Sequence, residues 1–380
     1  MKVSARALNR ATLDRQMLLR REPLGIPDAV RRVVALQAQH PASPYLALWN
    51  RIDGFEPADL DAAFAERRVV KASLMRITLH AVHAGDYRTF REAMEPTLQA
   101  AGLDQRFRET APTPADAEAL LLEVLDHHRE ARTSAGFDDW LDRRFGAPVD
   151  PAVKRSFRGY SPLLHAPTGP PWSFGFRPSF VAAPEAPALA NPEAAAAGLQ
   201  TLVLRYLHGF GPATIADVAK FALVPRARVK KALAALAGDL ATLEGPNGET
   251  LYDRPGAPLP DDETPAPPRL MAMWDSVLLS YDDRSRIIPP DYRRIVIRTN
   301  GDVLPTLLVD GYVAGVWRAV EGGIEATAFH PLSSDAWEGL AAEARALLAL
   351  LASRDPDVYG RYGHWWNKLP GGEVRLLPGG

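Results

Sequence analysis

The sequence of 380 residues contains no cysteine. This absence excludes disulfides, thiolate nucleophiles, iron–sulfur clusters and cysteine-ligated zinc, and it is compatible with a reducing cytosol. The nine histidines have no partners at the spacing of zinc ligands. We therefore expect no metal and no cofactor.

Long apolar runs are also absent. The opening MKVSARALNRATLDRQ lacks the apolar segment of a secretory signal, and no stretch approaches the roughly 20 apolar residues of a membrane span. We expect a cytoplasmic protein that does not associate with membranes. Hydrophobic residues make up 47% of the chain, which is enough to bury sizeable cores in two to four compact units.

An excess of positive charge is missing too. The net charge is −2, which counts against a globally basic nucleic-acid-binding protein. Basic residues nevertheless cluster locally, and such clusters either combine into one positive surface or remain separate solvated faces. The candidates for nucleic-acid contact are Arg31, Arg32, Lys154, Arg158, Arg226, Arg228, Lys230, Lys231, Arg284 and Arg286.

Apolar periodicity predicts several short helices at the start of the chain. They cover residues 7–20, a segment beginning near Pro27, residues 43–52 and residues 57–66. The β-branched segment 69–84 then predicts two strands of a hairpin. Short helices followed by a hairpin are the outline of a winged helix-turn-helix unit.

This outline recurs twice. Residues 115–165 predict further helices, followed by an aromatic segment that suits a wing. Residues 198–255 repeat the order more clearly, with an Asn-Gly turn between the last two strands. Arg226 to Lys231 fall at the start of the recognition helix of this third unit, which is the strongest local indication of DNA binding.

Two Pro/Ala-rich segments, residues 183–197 and 254–268, have the composition of linkers. Beyond the second, alternating apolar residues between glycine-containing turns predict an antiparallel sheet, covered by a helix at 335–352. We therefore expect an α+β fold of tandem winged helix-turn-helix motifs and a C-terminal sheet region. The predicted units are listed here: 1–110, a winged helix; 111–190, a second winged-helix-like unit; 191–262, a third; and 263–380, the β region with its helix.

The segment ALQAQHPASPY places Gln37 and Gln39 two positions apart. Along a helix they would point to nearly opposite sides, but Pro41 disfavours helical geometry before it. In an extended stretch both amides share one face. A carboxamide stays neutral and offers both donors and acceptors, so the pair either positions a water molecule or merely caps a helix end.

Several blocks together distinguish these alternatives. They are LDRQMLLR with VRRVVALQAQHPASPYLALWNRIDGF, then MRITLHAVHAGDY, HGFGPATIADVAKFA and MWDSVLLSYDDRSRII. Over nearly the whole chain they resemble the winged-helix DNA glycosylases of the AlkZ/AlkX type. That family carries a catalytic Gln–apolar–Gln or Gln–apolar–Asp motif, and the resemblance implies that Gln37 and Gln39 are the catalytic residues.

The resemblance implies a monofunctional DNA glycosylase acting in DNA repair or in self-resistance to an alkylating natural product. Such enzymes cleave the N-glycosidic bond of N7-alkylated purines, unhook interstrand crosslinks and leave an abasic site. The expected partner is double-stranded DNA carrying these lesions, and we expect a monomer. A crosslinked base does not fit a tight base-flipping pocket, so we expect an open, concave, C-shaped arrangement with a basic channel.

Four further residues are candidates for contact with the lesion or a groove. His80 is either such a contact or a hydrogen-bonded structural histidine. Asp275 lies in a family-like block and is a candidate for a position near the sugar. Asp310 and Gly311 form a hairpin turn that either projects into a groove or is an ordinary sheet turn.

Two other functions compete with this one. Winged helices most often serve in transcription regulators, and a non-catalytic DNA-binding protein is the first alternative. A protein-interaction module is the second, and its binding to DNA would not weaken steeply with salt. Excision of N7-methylguanine separates the first alternative from the enzyme.

Overall fold

A computed structural model describes residues 2–102 and 114–378 and combines helices with antiparallel sheets. Its α-helices are α1 Ala5–Arg15, α2 Ile26–Arg32, α3 Ser43–Trp49, α4 Pro57–Ala65, α5 Ala84–Gly102, α6 Pro114–His127, α7 Ser134–Phe145, α8 Pro151–Tyr160, α9 Pro192–Phe210, α10 Ile215–Ala222, α11 Arg226–Ala235, α12 Arg293–Val296 and α13 Ser334–Ala352. Its β-strands are β1 Leu36–Gln37, β2 Val69–Ser73, β3 Leu79–His83, β4 Arg132–Thr133, β5 Leu163–Ala166, β6 Ser179–Ala182, β7 Ala241–Glu244, β8 Thr250–Asp253, β9 Arg269–Leu270, β10 Thr306–Val309, β11 Tyr312–Val320, β12 Gly323–Ala328 and β13 Glu373–Pro378. The predicted mixture of helices and antiparallel sheets is confirmed.

Several segments differ from the predicted elements, and the helix predicted over residues 7–20 ends at Arg15. Helix α5 was not predicted, and it contains Pro96 in its interior, which removes a helical hydrogen bond. Residues 163–166 were predicted within a helical segment but form β5, because Pro162 disfavours helical geometry at Ser161. The segment beginning at Arg293 was predicted as part of the sheet, but α12 continues a 3₁₀ turn that starts at Pro290.

A six-stranded antiparallel sheet runs through the first half of the chain, in the order β1-β3-β2-β5-β6-β4. Strand β2 joins β5 where Lys71 lies opposite His165. Strands of the predicted first and second units therefore share one sheet, and a continuous buried apolar cluster extends from this sheet to the C-terminal region. The predicted unit boundaries remain a prediction.

Helices α9, α10 and α11 are followed by the hairpin β7–β8, in the order predicted for residues 198–255. Helix α10 begins with a capping box in which the side chains of Thr214 and Asp217 satisfy each other's backbone N–H groups. Helix α9 crosses α5 closely at Gly198, where an added Cβ would lie 2.6 Å from the backbone oxygen of Thr89. This crossing fixes the helix pair α10–α11 against the first half of the chain.

The C-terminal region contains a second antiparallel sheet in the order β13-β12-β11-β10-β9, and α13 packs on it. This sheet and its helix were predicted, whereas the final strand β13 was not. Among the helices of the described residues, none combines the length and the apolar character needed to cross a bilayer.

Candidate active site

The chain segment carrying both glutamines leaves α2 through a sharp turn. Val34 has a left-handed backbone with φ of 73°, and β1 then pairs antiparallel with β3, so that Gln37 lies opposite His80. The N–H of Ala38 continues the pairing with a 2.8 Å hydrogen bond to the carbonyl oxygen of Leu79. The extended geometry predicted before Pro41 is therefore found at Leu36 and Gln37, whereas Gln39 and His40 lie in a bend.

Both amides are held through their oxygen atoms. The Oε1 of Gln37 accepts a 2.6 Å hydrogen bond from the guanidinium of Arg76. The Oε1 of Gln39 accepts a 2.9 Å hydrogen bond from the backbone N–H of Leu79. Guanidinium and backbone N–H groups only donate, so each must face the amide oxygen.

The nitrogen ends of the two amides remain available. Among the described residues, neither Nε2 atom has a hydrogen-bond partner. Gln37 is 6% exposed, whereas Gln39 is exposed. The site therefore offers one recessed and one open NH₂ group, together with the second acceptor position of each oxygen.

Arg76 orients Gln37 and was not identified from the sequence. It lies in the loop between β2 and β3, and it also donates 3.1 Å to the carbonyl oxygen of Phe221. Burial, and next the charge of Arg284, lower the pKa of Arg76 to about 10. Its guanidinium therefore stays charged at neutral pH. The only sequence signal was a basic residue between Met75 and Ile77 in a predicted hairpin.

His80 has both ring nitrogens occupied. Its Nε2 faces the donor Arg76 at 3.2 Å, and its Nδ1 lies 3.1 Å from the carbonyl oxygen of Thr78. These partners fix the neutral tautomer with the proton on Nδ1. Burial, and next the charge of Arg76, hold the pKa of His80 well below its usual value. Of the two alternatives for His80, these contacts favour the hydrogen-bonded structural histidine over a contact with the lesion.

Five of the predicted DNA-contacting cations lie at or near the surface. Arg226, Lys230 and Lys231 are exposed on the first turns of α11. Arg226 and Lys230 line a cavity of about 480 Å³ between α10, α11 and the β7–β8 hairpin. Arg31 is exposed beside Asp86, at 3.5 Å. Arg284 is partly exposed, although its buried Nε has no partner among the described residues.

The other five cations are partly buried and bind partners within the protein, as the exposed Arg226 also does with Asp282 at 3.3 Å. Lys154 pairs with Asp142 at 2.6 Å, and Arg158 pairs with Asp138. Arg32, Arg228 and Arg286 contact the residues listed here: Arg32 binds Glu22 and the Asp14 carbonyl, Arg228 binds the carbonyls of Ala93 and Ala195, and Arg286 binds the Pro212 carbonyl and covers the Tyr281 ring. A DNA phosphate would have to replace these partners.

Asp275 forms a buried ion pair with Arg51. Two hydrogen bonds of 2.8 Å join the carboxylate and the guanidinium, and the two side chains are 0% and 1% exposed. Asp275 also caps the short turn that follows by accepting from the N–H of Val277. Its oxygens are therefore committed to the fold, and these contacts do not support the predicted position near a sugar.

The Asp310–Gly311 turn is docked on α1. The carboxylate of Asp310 binds Arg6 and Arg10, and the carbonyl oxygen of Gly311 accepts a 2.8 Å hydrogen bond from Asn9. Of the two alternatives for this turn, these contacts favour the ordinary sheet turn over one that projects into a groove. Within the described residues, no cluster of His, Asp and Glu side chains is arranged to hold a metal ion.

The comparisons with known proteins agree with this fold. A family model described as DNA glycosylase AlkZ-like matches residues 30–350, and the chain therefore belongs to the AlkZ-like DNA glycosylase family. Its structure is similar to that of the DNA glycosylase AlkZ of Streptomyces sahachiroi, with a TM-score of 0.78 and 20% sequence identity over 93% of this chain and 98% of that chain. No curated protein sequence matches the chain significantly. The family expected from the sequence is thus confirmed.

Proposed function

We propose that this protein is a monofunctional DNA glycosylase that hydrolyses the N-glycosidic bond of N7-alkylated purines and unhooks interstrand crosslinks. Its role would be DNA repair or self-resistance to an alkylating natural product, and its product an abasic site. Membership in the glycosylase family supports the general activity. The observation that carries the specific proposal is the pair of amides at Gln37 and Gln39, each held through its oxygen by the β2–β3 segment, with no partner for its nitrogen among the described residues.

The chemistry of the lesion explains why two neutral side chains suffice. Alkylation at N7 leaves a positive charge on the purine, so the base departs as a neutral molecule and needs no general acid. The sugar gains oxocarbenium character and requires a water on its exposed face. Positioned dipoles serve this step by placement rather than by proton abstraction.

The fixed amide orientations define how a water would be held. The NH₂ groups of Gln37 and Gln39 donate to the water oxygen or to a neighbouring acceptor, and the second acceptor position of each Oε1 receives a proton of the water. Because both oxygens are already held, little reorganisation is needed when the substrate binds. Neutral amides also avoid the desolvation cost of placing a carboxylate beside DNA phosphates.

The position of Lys71 supports water, rather than an amine, as the nucleophile. Burial lowers the pKa of this lysine to about 8, which would favour a nucleophilic amine. Lys71, however, pairs with Ala81 across the sheet. Gln37, His80 and Ala72 pair with one another in the next row of the sheet. Since side chains alternate along a strand, Lys71 points to the other face of the sheet. Its ammonium covers the Phe174 ring there, at 4.7 Å.

The proposed DNA-binding surface joins this site to the α9–α11 region. Arg76 connects them by its hydrogen bond to the Phe221 carbonyl at the end of α10. We interpret α9–α11 and β7–β8 as a winged helix, with Arg226, Lys230 and Lys231 on its recognition helix and Arg284 and Arg31 nearby as phosphate contacts. A monomer with an open, concave channel admits a base still tethered to the other strand.

Excision of N7-methylguanine from a duplex tests the activity, with abasic sites detected as alkali-labile strand breaks. The Gln37→Ala/Gln39→Ala double variant should bind DNA normally and lose excision, because only water placement is removed. Gln200→Ala, on the partly exposed side of α9, is the matched control. Full excision by the double variant would overturn the mechanism. Binding without excision by the wild-type protein would instead indicate a non-catalytic regulator.

A defined interstrand crosslink tests the substrate class. Separation of the two strands on a denaturing gel reports unhooking, and the same two glutamine substitutions should abolish it. A wild-type protein that removes N7-methylguanine but leaves the crosslink intact would limit the proposal to monoadducts. Duplexes containing uracil serve as the negative control, because uracil lacks the positive charge that makes an N7-alkylated purine a good leaving group.

A further inference from the structure

An exposed apolar side chain with unusual backbone geometry lies in the chain segment that binds both glutamines. Ile77 is 41% exposed, and its φ is 58°, directly after Arg76 with φ of 56°. Left-handed backbone is disfavoured for any residue with a Cβ, and most for a β-branched one. Two consecutive residues of this kind persist only where the surrounding structure holds them.

The tip of the β2–β3 hairpin is held firmly. Leu74 and Met75 are fully buried beneath it, and the N–H of Leu74 donates 3.0 Å to the carbonyl oxygen of Thr78. The hydroxyl of Thr78 donates to the carbonyl of Met75 at 3.1 Å. Ile77 therefore projects to solvent from a rigid base rather than from a mobile loop.

The position of Ile77 relative to the amides is set by its neighbours in the chain. Arg76, immediately before it, binds Gln37 at 2.6 Å. Leu79, two residues after it, binds Gln39 at 2.9 Å. The segment that binds both amide oxygens is thus the segment that exposes Ile77, two residues before the backbone N–H that holds Gln39.

We propose that Ile77 is a wedge that inserts between stacked bases beside the lesion and turns the damaged nucleotide's sugar toward Gln37 and Gln39. This inference rests on the proposed function. Apolar side chains that enter a base step unstack and bend the duplex. A wedge of this kind suits a lesion still tethered to the opposite strand, because it exposes the sugar without full extrusion of the base.

The charges around the tip favour this partner. Arg76 directly precedes Ile77, and its guanidinium has no carboxylate partner among the described residues. The neighbouring charge of Arg284 contributes to the lowered pKa of Arg76. Unpaired positive charge around a single apolar side chain fits a phosphate backbone flanking a base step. A protein partner would instead require a contiguous apolar patch, which one side chain does not provide.

A pair of nearly isosteric substitutions separates the wedge from a merely structural role. Ile77→Leu keeps the apolar reach, whereas Ile77→Asn replaces it with an amide in a residue that tolerates left-handed backbone. Both remove the β-branch, and Asn tolerates the left-handed backbone better than Leu, so a defect of Ile77→Asn would not come from added backbone strain. Leu122→Ala is the control, since Leu122 is also an exposed apolar side chain, at 62%, on helix α6.

Unstacking is measured by the fluorescence of 2-aminopurine placed next to a non-cleavable 2′-fluoro analogue of N7-methyldeoxyguanosine. Binding is measured by anisotropy on the same duplex, and excision is measured on cleavable DNA. We expect the wild-type protein, Ile77→Leu and Leu122→Ala to raise the fluorescence several-fold. Ile77→Asn should bind, fail to raise it, and excise about tenfold more slowly or worse, since unstacking costs a few kcal/mol per step.

The outcomes separate this proposal from the proposed function. If the wild-type protein excises the lesion and Ile77→Asn matches Ile77→Leu in fluorescence and rate, the wedge is wrong and the glycosylase stands. If the wild-type protein binds but never excises, the proposed function fails. A fluorescence rise that still depends on Ile77 would then support the wedge by itself.

Discussion

The guanidinium of Arg76 donates a 2.6 Å hydrogen bond to the side-chain oxygen of Gln37, and it is anchored on its other side by the Phe221 carbonyl. A residue of the β2–β3 loop thereby orients a residue of β1 and ties both to helix α10. In the proposed reaction Arg76 is a positioning residue, because it acts through the amide of Gln37.

Replacement of Arg76 tests this relationship. Arg76→Lys keeps the charge but loses the planar fork that reaches Gln37 and Phe221 together. We expect the single-turnover rate of excision to fall about 10–100-fold, as for loss of a hydrogen bond to a charged group. The dissociation constant for lesion DNA should change little. Arg88→Lys, which alters an exposed arginine of α5 paired with Glu92, should have no effect on either quantity.

The buried histidine His80 predicts a loss of stability in acid. Burial and Arg76 lower the pKa of His80 in the folded protein, so below about pH 6.5 the unfolded chain binds a proton that the folded chain does not. Stability should therefore fall as pH drops below this value, by up to about 1.4 kcal/mol per pH unit for this group. Unfolding midpoints between pH 5 and 8 measure this effect.

His80→Gln provides the comparison for that measurement. It removes the titrating group, so the variant should lose less stability than the wild type between pH 6.5 and 5. His40 contributes in the same direction, since burial and Arg361 lower the pKa of His40 to about 3. An unchanged slope in the His80 variant would show that its protonation is not linked to unfolding.

The Arg51–Asp275 ion pair should be required for the stability of the fold and not for the excision reaction. Asp275→Ala leaves a buried guanidinium without its counter-charge, and we expect it to lower the free energy of unfolding by about 3–5 kcal/mol. Excision by the fraction that remains folded should be near normal. A stable variant with a specific loss of excision would instead restore the sugar contact considered from the sequence.

Substitutions of Lys230 and Lys154 should change the salt dependence of DNA binding differently. Lys230 is exposed on the first turns of α11, whereas the side chain of Lys154 is 12% exposed and paired with Asp142. Lys230→Ala should weaken binding to DNA of any sequence. It should also reduce the slope of log affinity against log salt concentration by about 1. Lys154→Ala should leave that slope unchanged. Equal effects of the two substitutions would contradict the proposed surface.

Gly209 makes room for the turn that leads into β1. An added Cβ would lie 2.7 Å from the Cγ2 of Val34 and 3.1 Å from the carbonyl oxygen of Arg32. We expect Gly209→Ala to lower stability by about 1–3 kcal/mol and to slow excision by displacing Gln37. Gly159→Ala, in helix α8 with no atom within 4 Å of the added Cβ, should be neutral or mildly stabilising. Thermal unfolding and single-turnover rates distinguish the two.

Local sequence signals predicted most elements because their causes are local. Pro57 begins α4, the Thr214–Asp217 capping box begins α10, and Asn247-Gly248 forms the turn between β7 and β8. Helix α5 was missed because its packing against α9 outweighs the unfavourable Pro96. The joining of β2 to β5 was not predictable either, since nothing near Lys71 in the sequence specifies His165 as its neighbour.

The sequence by itself determined the non-helical path of Gln37 and Gln39, because Pro41 acts on its immediate neighbours. It also determined the family to which the chain belongs. Only the tertiary structure decided which end of each amide is free, since Arg76 and Leu79 approach from about 40 positions further along the chain. It also decided that Asp275 pairs with Arg51 and that the Asp310 turn rests on α1. Such partners are selected by the packing of whole elements, which no local pattern of residues encodes.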